Sequence, residues 1–291
     1  MYKVRTAVIP VAGYGTRFLP FTKAVPKAML PVVNQPAVEL IVQEAALSGI
    51  ERVVLVVGQN KDIIESHFKP TEELEKVLEK RGSLDFLKKV KNTCHGVEVV
   101  CVVQPEQTGT ASAVLCASDY IQENEPFAVM FGDDVMSSDT PVLKQLINVF
   151  EQTGKTVIGV KNVGYDQVEK YASVEYTKCE KGVYTVSALT EKPKKEQAKS
   201  DLAPLGRYVF SAGALELFKT LKPGLHGEYQ LTDVLDIEAK RQNALAYAFE
   251  GERYDMGDKL GFLKANIEEG LKNPEIKAEF KKYIENLVKN F

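Results

Sequence analysis

The sequence predicts an α/β fold: a largely parallel sheet with helices on both faces, three layers in all. Three observations predict it. β-Branched runs recur at Thr6–Val11, Arg52–Val57, Val97–Val103, Phe127–Phe131 and Thr156–Val160. Segments of helical periodicity separate the first four and precede the last. Each run is apolar at successive positions rather than at alternate ones, the pattern of strands buried from both sides.

Taken in order, the first five runs supply the core and the remainder decorates it. Between the second and third runs, Thr71 to Lys91 is rich in Glu, Lys and Leu at helical spacing and predicts an inserted, solvated helical excursion. After about Lys161 the strands become shorter and alternating, at Ser173–Thr177, Val183–Leu189 and Arg207–Phe210, with a polar stretch from Lys192 to Ser200 between them. These predict a smaller mixed part laid across one end of the sheet. From Asp258 the chain reads as helical, with Leu260, Leu263, Ile267 and Leu271 forming one apolar stripe that packs on the body or on another subunit. The expected division is 1–257, in two parts at 1–160 and 161–257, followed by a helical tail at 258–291.

Composition narrows the function. The 291 residues are 44% hydrophobic and 26% charged, ordinary for a globular protein, and the formal net charge is −3. A nucleic-acid partner or an anionic membrane calls for a basic excess that this chain lacks, so neither is expected. Cys94, Cys101, Cys116 and Cys179 have no C-x-x-C spacing and read as buried reduced thiols. His67, His95 and His226 are isolated in sequence and read as surface or capping residues. No apolar run approaches the roughly 18 residues of a membrane helix, and the first strand is broken by Pro10 and Gly13, which argues against a signal peptide; a cytoplasmic location is expected.

The strongest local motif is Ala12-Gly13-Tyr14-Gly15-Thr16-Arg17, directly after the first strand and followed by Lys23, Lys27 and Pro31. Glycines at the carboxyl end of a strand let backbone N–H groups approach a phosphate, and Arg17 and Lys27 supply charge to hold it. Two other phosphate-binding motifs fail on spacing. A G-x-G-x-x-G fingerprint needs glycine where Phe18 stands, and the P-loop hinted at by Gly154-Lys155-Thr156 needs glycine at Val149. Further on, Gly132-Asp133-Asp134 follows a strand, which brings its acids to the edge where α/β proteins bind ligands, although such a pair taken alone is more often a helix cap or a solvated turn. Glu191-Lys192-Pro193 ends an alternating strand and reads as a sugar and phosphate contact or as a solvated charge cluster.

The run Ala12 to Pro31, AGYGTRFLPFTKAVPKAMLP, resembles the signature of the sugar nucleotidyltransferases, in particular the bacterial branch that uses UTP and glucose 1-phosphate. The resemblance continues in order through Gly132-Asp133-Asp134, Glu191-Lys192-Pro193, Gly206-Arg207-Tyr208, Glu228, Gln230 to Asp233, and Tyr254-Asp255-Met256-Gly257. It implies a Rossmann-like nucleotidyltransferase fold with a mixed central sheet, a small β-rich sugar-binding part and a helical C-terminus.

Site roles follow from the resemblance. Ala12, Gly13 and Gly15 are implied to cradle the triphosphate with Arg17 and Lys27, and Gln104 with Gly109 to read the uracil edge. Asp133 and Asp255 are implied to hold Mg²⁺, and Ala172, Glu191 and Lys192 to contact the sugar phosphate. Tyr14 is left open between covering the base and filling space. A homo-oligomer, dimer or tetramer, is expected. The sequence departs from the family pattern at Ala28, Ala111, Ser112, Ala172 and Met256. Those departures keep two alternatives in view, an enzyme for another base or sugar and a nucleotide-sugar-binding regulatory relative, while the retained charged groups favour an enzyme.

Overall fold

The computed structural model describes residues 3–58, 61–224 and 227–290; His226 lies outside them. In chain order the elements are β1 (Thr6–Pro10), β2 (Pro31–Val32), β3 (Gln35–Pro36), α1 (Ala37–Leu47), β4 (Arg52–Val57), α2 (Lys61–Phe68), α3 (Glu72–Lys80), α4 (Leu84–Lys91) and β5 (Glu98–Val103). There follow α5 (Thr110–Cys116), β6 (Phe127–Met130), β7 (Asp134–Ser137), α6 (Val142–Thr153), β8 (Thr156–Asn162), β9 (Ala172–Glu180), β10 (Val183–Glu191) and β11 (Leu202–Phe210). The chain continues through α7 (Leu215–Thr220), α8 (Leu231–Lys240), β12 (Ala244–Ala248), β13 (Glu252–Asp255), α9 (Lys259–Lys272) and α10 (Lys277–Val288).

A mixed nine-stranded sheet runs in the order β5-β4-β1-β6-β11-β8-β12-β10-β9. Its first four strands are parallel, with Thr6 opposite both Arg52 and Phe127. Their residues alternate between two cores: Val8 joins the cluster with Phe127 and Phe210, while Ala7 and Ile9 join the one with Ile41 and Leu146. That division across the sheet is why the strands read as apolar throughout.

The strand seen in sequence as Arg207–Phe210 lies not at one end of the sheet but in its middle. β11 starts five residues earlier, is buried along its whole length, and runs antiparallel to both β6 and β8. Arg207 disguised it. The guanidinium is fully buried and donates to both carboxylate oxygens of Glu44 on α1, so a charge stands inside a central strand because it carries its counter-ion with it. β9 and β10 form the far edge of the same sheet.

The excursion is as expected: α3 and α4 have no buried residue. The C-terminal stripe does not pack on the body of this chain. Leu260, Leu263 and Ile267 are exposed, and α9 packs through Phe262 and Ala265 on a small cluster with Val135, Tyr254 and Met256, while Asn266 donates to the Pro31 carbonyl. The packing face joins one aromatic residue, Phe262, to the small Ala265 and the polar Asn266, so counting aliphatic residues alone picked out a different face.

Two further readings change. His67 and His95 are not isolated, since both Nε2 atoms meet the buried Glu39 carboxylate, at 2.8 and 3.3 Å. Of the four cysteines, all free, Cys179 is exposed and the others are half-buried; burial pushes the Cys101 thiol up to about 11. Gly154, the false P-loop residue, closes α6 in the left-handed conformation. No helix among the described residues is long and apolar enough to cross a membrane.

Candidate active site

The carboxyl ends of β1 and β6 lie side by side, and the loops that leave them form the walls of a cleft of about 410 Å³. Ala12, Gly13, Lys27, Gln104, Gly109, Asp133 and Lys192 all line it, so residues from four separate motifs meet there. Gln107, Thr110, Glu228 and Gln230 also line it.

The loop after β1 is shaped by its second glycine. Gly15 has φ 63° and opens a 3₁₀ turn at Thr16–Phe18, and its carbonyl accepts a 2.8 Å hydrogen bond from Thr22. A side chain there would be strained in φ and would strike Lys27 Cβ at 2.9 Å. Gly15 thus seats Lys27 from behind rather than lining the cleft. Gly13 does line it, and a side chain added there would meet nothing within 4 Å, leaving open space beside the backbone. Tyr14 is 76% exposed, so it does not fill space in the core.

The acids approach from two strands. β7 and β13 pair antiparallel with Asp134 opposite Asp255, and the Met256 amide donates to the Asp133 carbonyl. Lys27 Nζ lies 2.6 Å from Asp133 Oδ2, and the Gly257 amide donates to Asp255 Oδ1 at 2.7 Å. A methyl group built on Gly257 would lie 2.8 Å from Asp255 Oδ1, 3.2 Å from Asp133 Oδ2 and 3.3 Å from Lys27 Nζ, so the three charged groups converge on one point. Arg17 reaches the same place and donates to the Gly257 carbonyl at 3.3 Å. Burial opposes charge on Asp133, but Lys27 beside it holds the carboxyl below its ordinary pKa. For its neighbour Asp134 burial wins over Arg253, pushing the carboxyl up to about 6.

On the opposite wall Ala172 pairs with Glu191 across β9 and β10. Ala172 has the extended backbone of a strand residue, and its methyl is buried. The Lys192 amide donates to the Tyr171 carbonyl at 3.0 Å, and Lys192, at φ 42°, turns into the cleft while Glu191 accepts a 2.5 Å hydrogen bond from Thr232. Glu191 and Ala172 stand behind Lys192 rather than on the cleft surface. The third wall carries Gln104, whose amide donates to Ser112 Oγ at 2.9 Å, and Gly109, which starts α5.

The departures from the family pattern are absorbed locally. Ala28 and Met256 are buried in apolar clusters. Ala111 is fully buried and its amide bonds the Tyr229 carbonyl.

Sequence reasoning missed Gln107 and Arg253. The Gln107 amide donates to the Ala12 carbonyl and ties the nucleotide-side loops together; nothing in its neighbourhood singled it out from Gln104. Arg253 contacts Asp134 and Asp255. It stands two residues before Asp255 in a strand, hence on the same face, a signal that was available.

A profile of the nucleotidyl transferase family matches residues 6–270. The UTP–glucose-1-phosphate uridylyltransferase of Staphylococcus epidermidis is 44% identical over 99% of both chains. The Bacillus subtilis UTP–glucose-1-phosphate uridylyltransferase YngB is 44% identical over 99% of this chain and 96% of its own. Among solved structures, a UTP-bound UDP-glucose pyrophosphorylase from Acinetobacter baumannii superposes with a TM-score of 0.89 at 34% identity, over 97% of this chain and 99% of that one. A UDP-glucose pyrophosphorylase complexed with UDP-glucose gives 0.83 at 35% identity, over 93% and 100%. The chain belongs to the nucleotidyl transferase family, in its branch of UTP–glucose-1-phosphate uridylyltransferases.

Proposed function

We propose that this protein joins UTP to glucose 1-phosphate, giving UDP-glucose and pyrophosphate. The observation that carries the reading is the convergence of Asp133, Asp255 and Lys27 beside a glycine loop, at a cleft that Asp133, Lys27 and Lys192 line. Ala12, Gly13 and Gly15 shape the phosphate cradle, Arg17 and Lys27 neutralise the triphosphate, and Gln104 with Gly109 faces the base. Lys192 takes the sugar phosphate, with Glu191 and Ala172 shaping the sugar side. Residues 1–160 form the nucleotide part, 161–257 the sugar-phosphate part and 258–291 the helical tail.

A phosphate oxygen of glucose 1-phosphate attacks the α-phosphorus of UTP, a P–O bond forms, and the bond to the β-phosphate oxygen breaks as pyrophosphate leaves. The attacking group is already anionic, so neither a protein nucleophile nor a general base is required; alignment and charge neutralisation supply the rate. The donor set fits a magnesium site: two hard carboxylates that converge beside the cleft suit a cation completed by phosphates and water. Held by Asp133 and Asp255, Mg²⁺ would neutralise phosphate charge and order the reactants.

The protein works in the cytoplasm on this reading, in keeping with its four free cysteines. It assembles with copies of itself through the exposed apolar residues of α9 and α10, Leu260, Leu263, Tyr283 and Val288 among them; light scattering showing only monomer at micromolar concentration removes that part.

Incubation with UTP, glucose 1-phosphate and Mg²⁺ yields equimolar UDP-glucose and pyrophosphate, and EDTA stops it. Exchange of labelled pyrophosphate into UTP requires glucose 1-phosphate. Exchange without it would mean a uridylylated enzyme and would overturn direct transfer. Nucleotide binding with no product from any pair would make the protein a regulatory binder.

A further inference from the structure

We infer that Arg253 is a positioning residue that fixes both the acid pair and the sugar-phosphate wall, so that one side chain sets the distance between them. The inference rests on the proposed reaction.

Each face of the guanidinium has a defined partner. Nε and Nη2 lie 2.8 and 2.6 Å from Asp134 Oδ1, and Nη2 lies 3.5 Å from Asp255 Oδ2. Nη1 donates to Tyr171 Oη at 3.2 Å, and the guanidinium stands 5.5 Å from the centre of the Tyr171 ring. The side chain is 15% exposed, so these contacts rather than water satisfy it.

Both ends of this bridge lead to the cleft. At the acid end, Asp255 keeps Oδ2 toward Arg253 while Oδ1 takes the Gly257 amide and faces Asp133. Arg253 therefore selects which Asp255 oxygen meets the cation site. Asp134 is a firm anchor for it: its carbonyl accepts from Arg207, itself fixed by Glu44, and its carboxylate occupies the space left by the missing side chain of Gly206, where a Cβ would fall 2.0 Å from Oδ2. At the other end, the Tyr171 carbonyl accepts the Lys192 amide, and the next residue, Ala172, pairs with Glu191. Shifting Tyr171 moves Lys192.

Only a planar fork with separate donors spans these three partners; a lysine keeps the charge but not the geometry. A purely structural ion pair gives a different signature, in which stability falls and every binding step weakens with it.

The test compares Arg253→Lys and Tyr171→Leu with wild type. Mn²⁺ binding is followed by electron paramagnetic resonance with UTP present, UTP binding is measured in EDTA, and steady-state constants are taken for glucose 1-phosphate. For Arg253→Lys the expected result is roughly 10–100-fold weaker Mn²⁺ binding, as when a group holding a metal-ligating carboxylate is lost. The KM for glucose 1-phosphate rises as well, while UTP binding in EDTA and the melting temperature stay near wild type. Tyr171→Leu raises only the sugar-phosphate KM and leaves Mn²⁺ binding intact. The inference is overturned if Arg253→Lys leaves both constants at wild-type values, or if they worsen only in step with UTP binding and melting temperature. It is equally overturned if Tyr171→Leu does not move the sugar-phosphate KM. Wild-type protein that neither binds Mn²⁺ with UTP nor turns over defeats the functional reading instead, and the two failures are separate.

Discussion

The acids at the sheet edge and Glu39 at the start of α1 are both carboxylates drawn to cationic or hydrogen-bonding partners, yet they are built for opposite ends. Glu39 has a side chain only 8% exposed, and its oxygens are taken up by the protein: Gln35 and His95 bond Oε1, and His67 bonds Oε2. Asp133 and Asp255 keep side chains 36% and 28% exposed at the mouth of a cleft. Lys27 and Arg17 stand beside them, basic side chains that a bound triphosphate also attracts. A closed carboxylate holds structure together, and an open one beside surplus cations is available to a ligand.

The largest effect that separates the two clusters is catalytic. Asp133→Asn, and likewise Asp255→Asn, lowers kcat by about 10³-fold, the scale seen when one electrostatic contact to the reacting phosphates is lost, and leaves the melting temperature nearly unchanged. Full activity in either variant removes that residue from the cation site.

Glu39 responds in the other observable. Burial works against its charge, but hydrogen bonds from His67, His95 and Gln35 prevail and hold its pKa at about 2, against 4.5 unfolded. A lowered carboxylate pKa contributes stability that is present above about 4.5 and is lost as pH falls toward 2. The contribution is on the order of 3 kcal/mol at neutral pH. Glu39→Gln should therefore unfold more easily at pH 7 and show a flatter stability curve between those two values, with kcat intact. A stability curve parallel to wild type through that window contradicts the pairing.

Within the cleft the contrast is between walls. Lys192→Ala weakens use of glucose 1-phosphate by about 1.5–3 kcal/mol, the worth of a hydrogen bond to a charged group, and spares UTP binding; Lys27→Ala does the reverse. Equal losses in both substrates from both variants would merge the two walls into one. The smallest effect is at Ala172, whose extended backbone does not need glycine. Ala172→Gly is expected to lower the KM for glucose 1-phosphate or widen the range of sugars by less than about 1 kcal/mol, and identical kinetics on all sugar phosphates place its methyl outside the pocket.

The comparison also explains what sequence could show. The nucleotide wall was legible because Ala12 to Lys27 is contiguous, so that glycine spacing and clustered cations are visible without a fold. The parallel half of the sheet was legible because its strands are apolar on both faces. Asp255, Glu191 and Lys192 carried meaning only through the family resemblance, since each alone is an ordinary charged turn residue. The Glu39 cluster was invisible for a related reason: its histidine partners lie 28 and 56 residues away, and only folding brings them together. β11 was shortened because Pro204 and the left-handed Gly206 interrupt it, and its central place was missed because Arg207 carries a charge whose partner, Glu44, lies on another element. The outward stripe on α9 shows the same limit, since packing chose Ala265 and Asn266 over leucine.

The central claim, that this cleft unites UTP with glucose 1-phosphate, is tested most directly by pyrophosphate release over a matrix of UTP, dTTP, ATP and GTP against glucose 1-phosphate and its N-acetylated analogue. Mg²⁺-dependent release is expected, with the highest kcat/KM for UTP with glucose 1-phosphate. A higher kcat/KM for any other pair, or no release from any pair by a folded, nucleotide-binding protein, would contradict it.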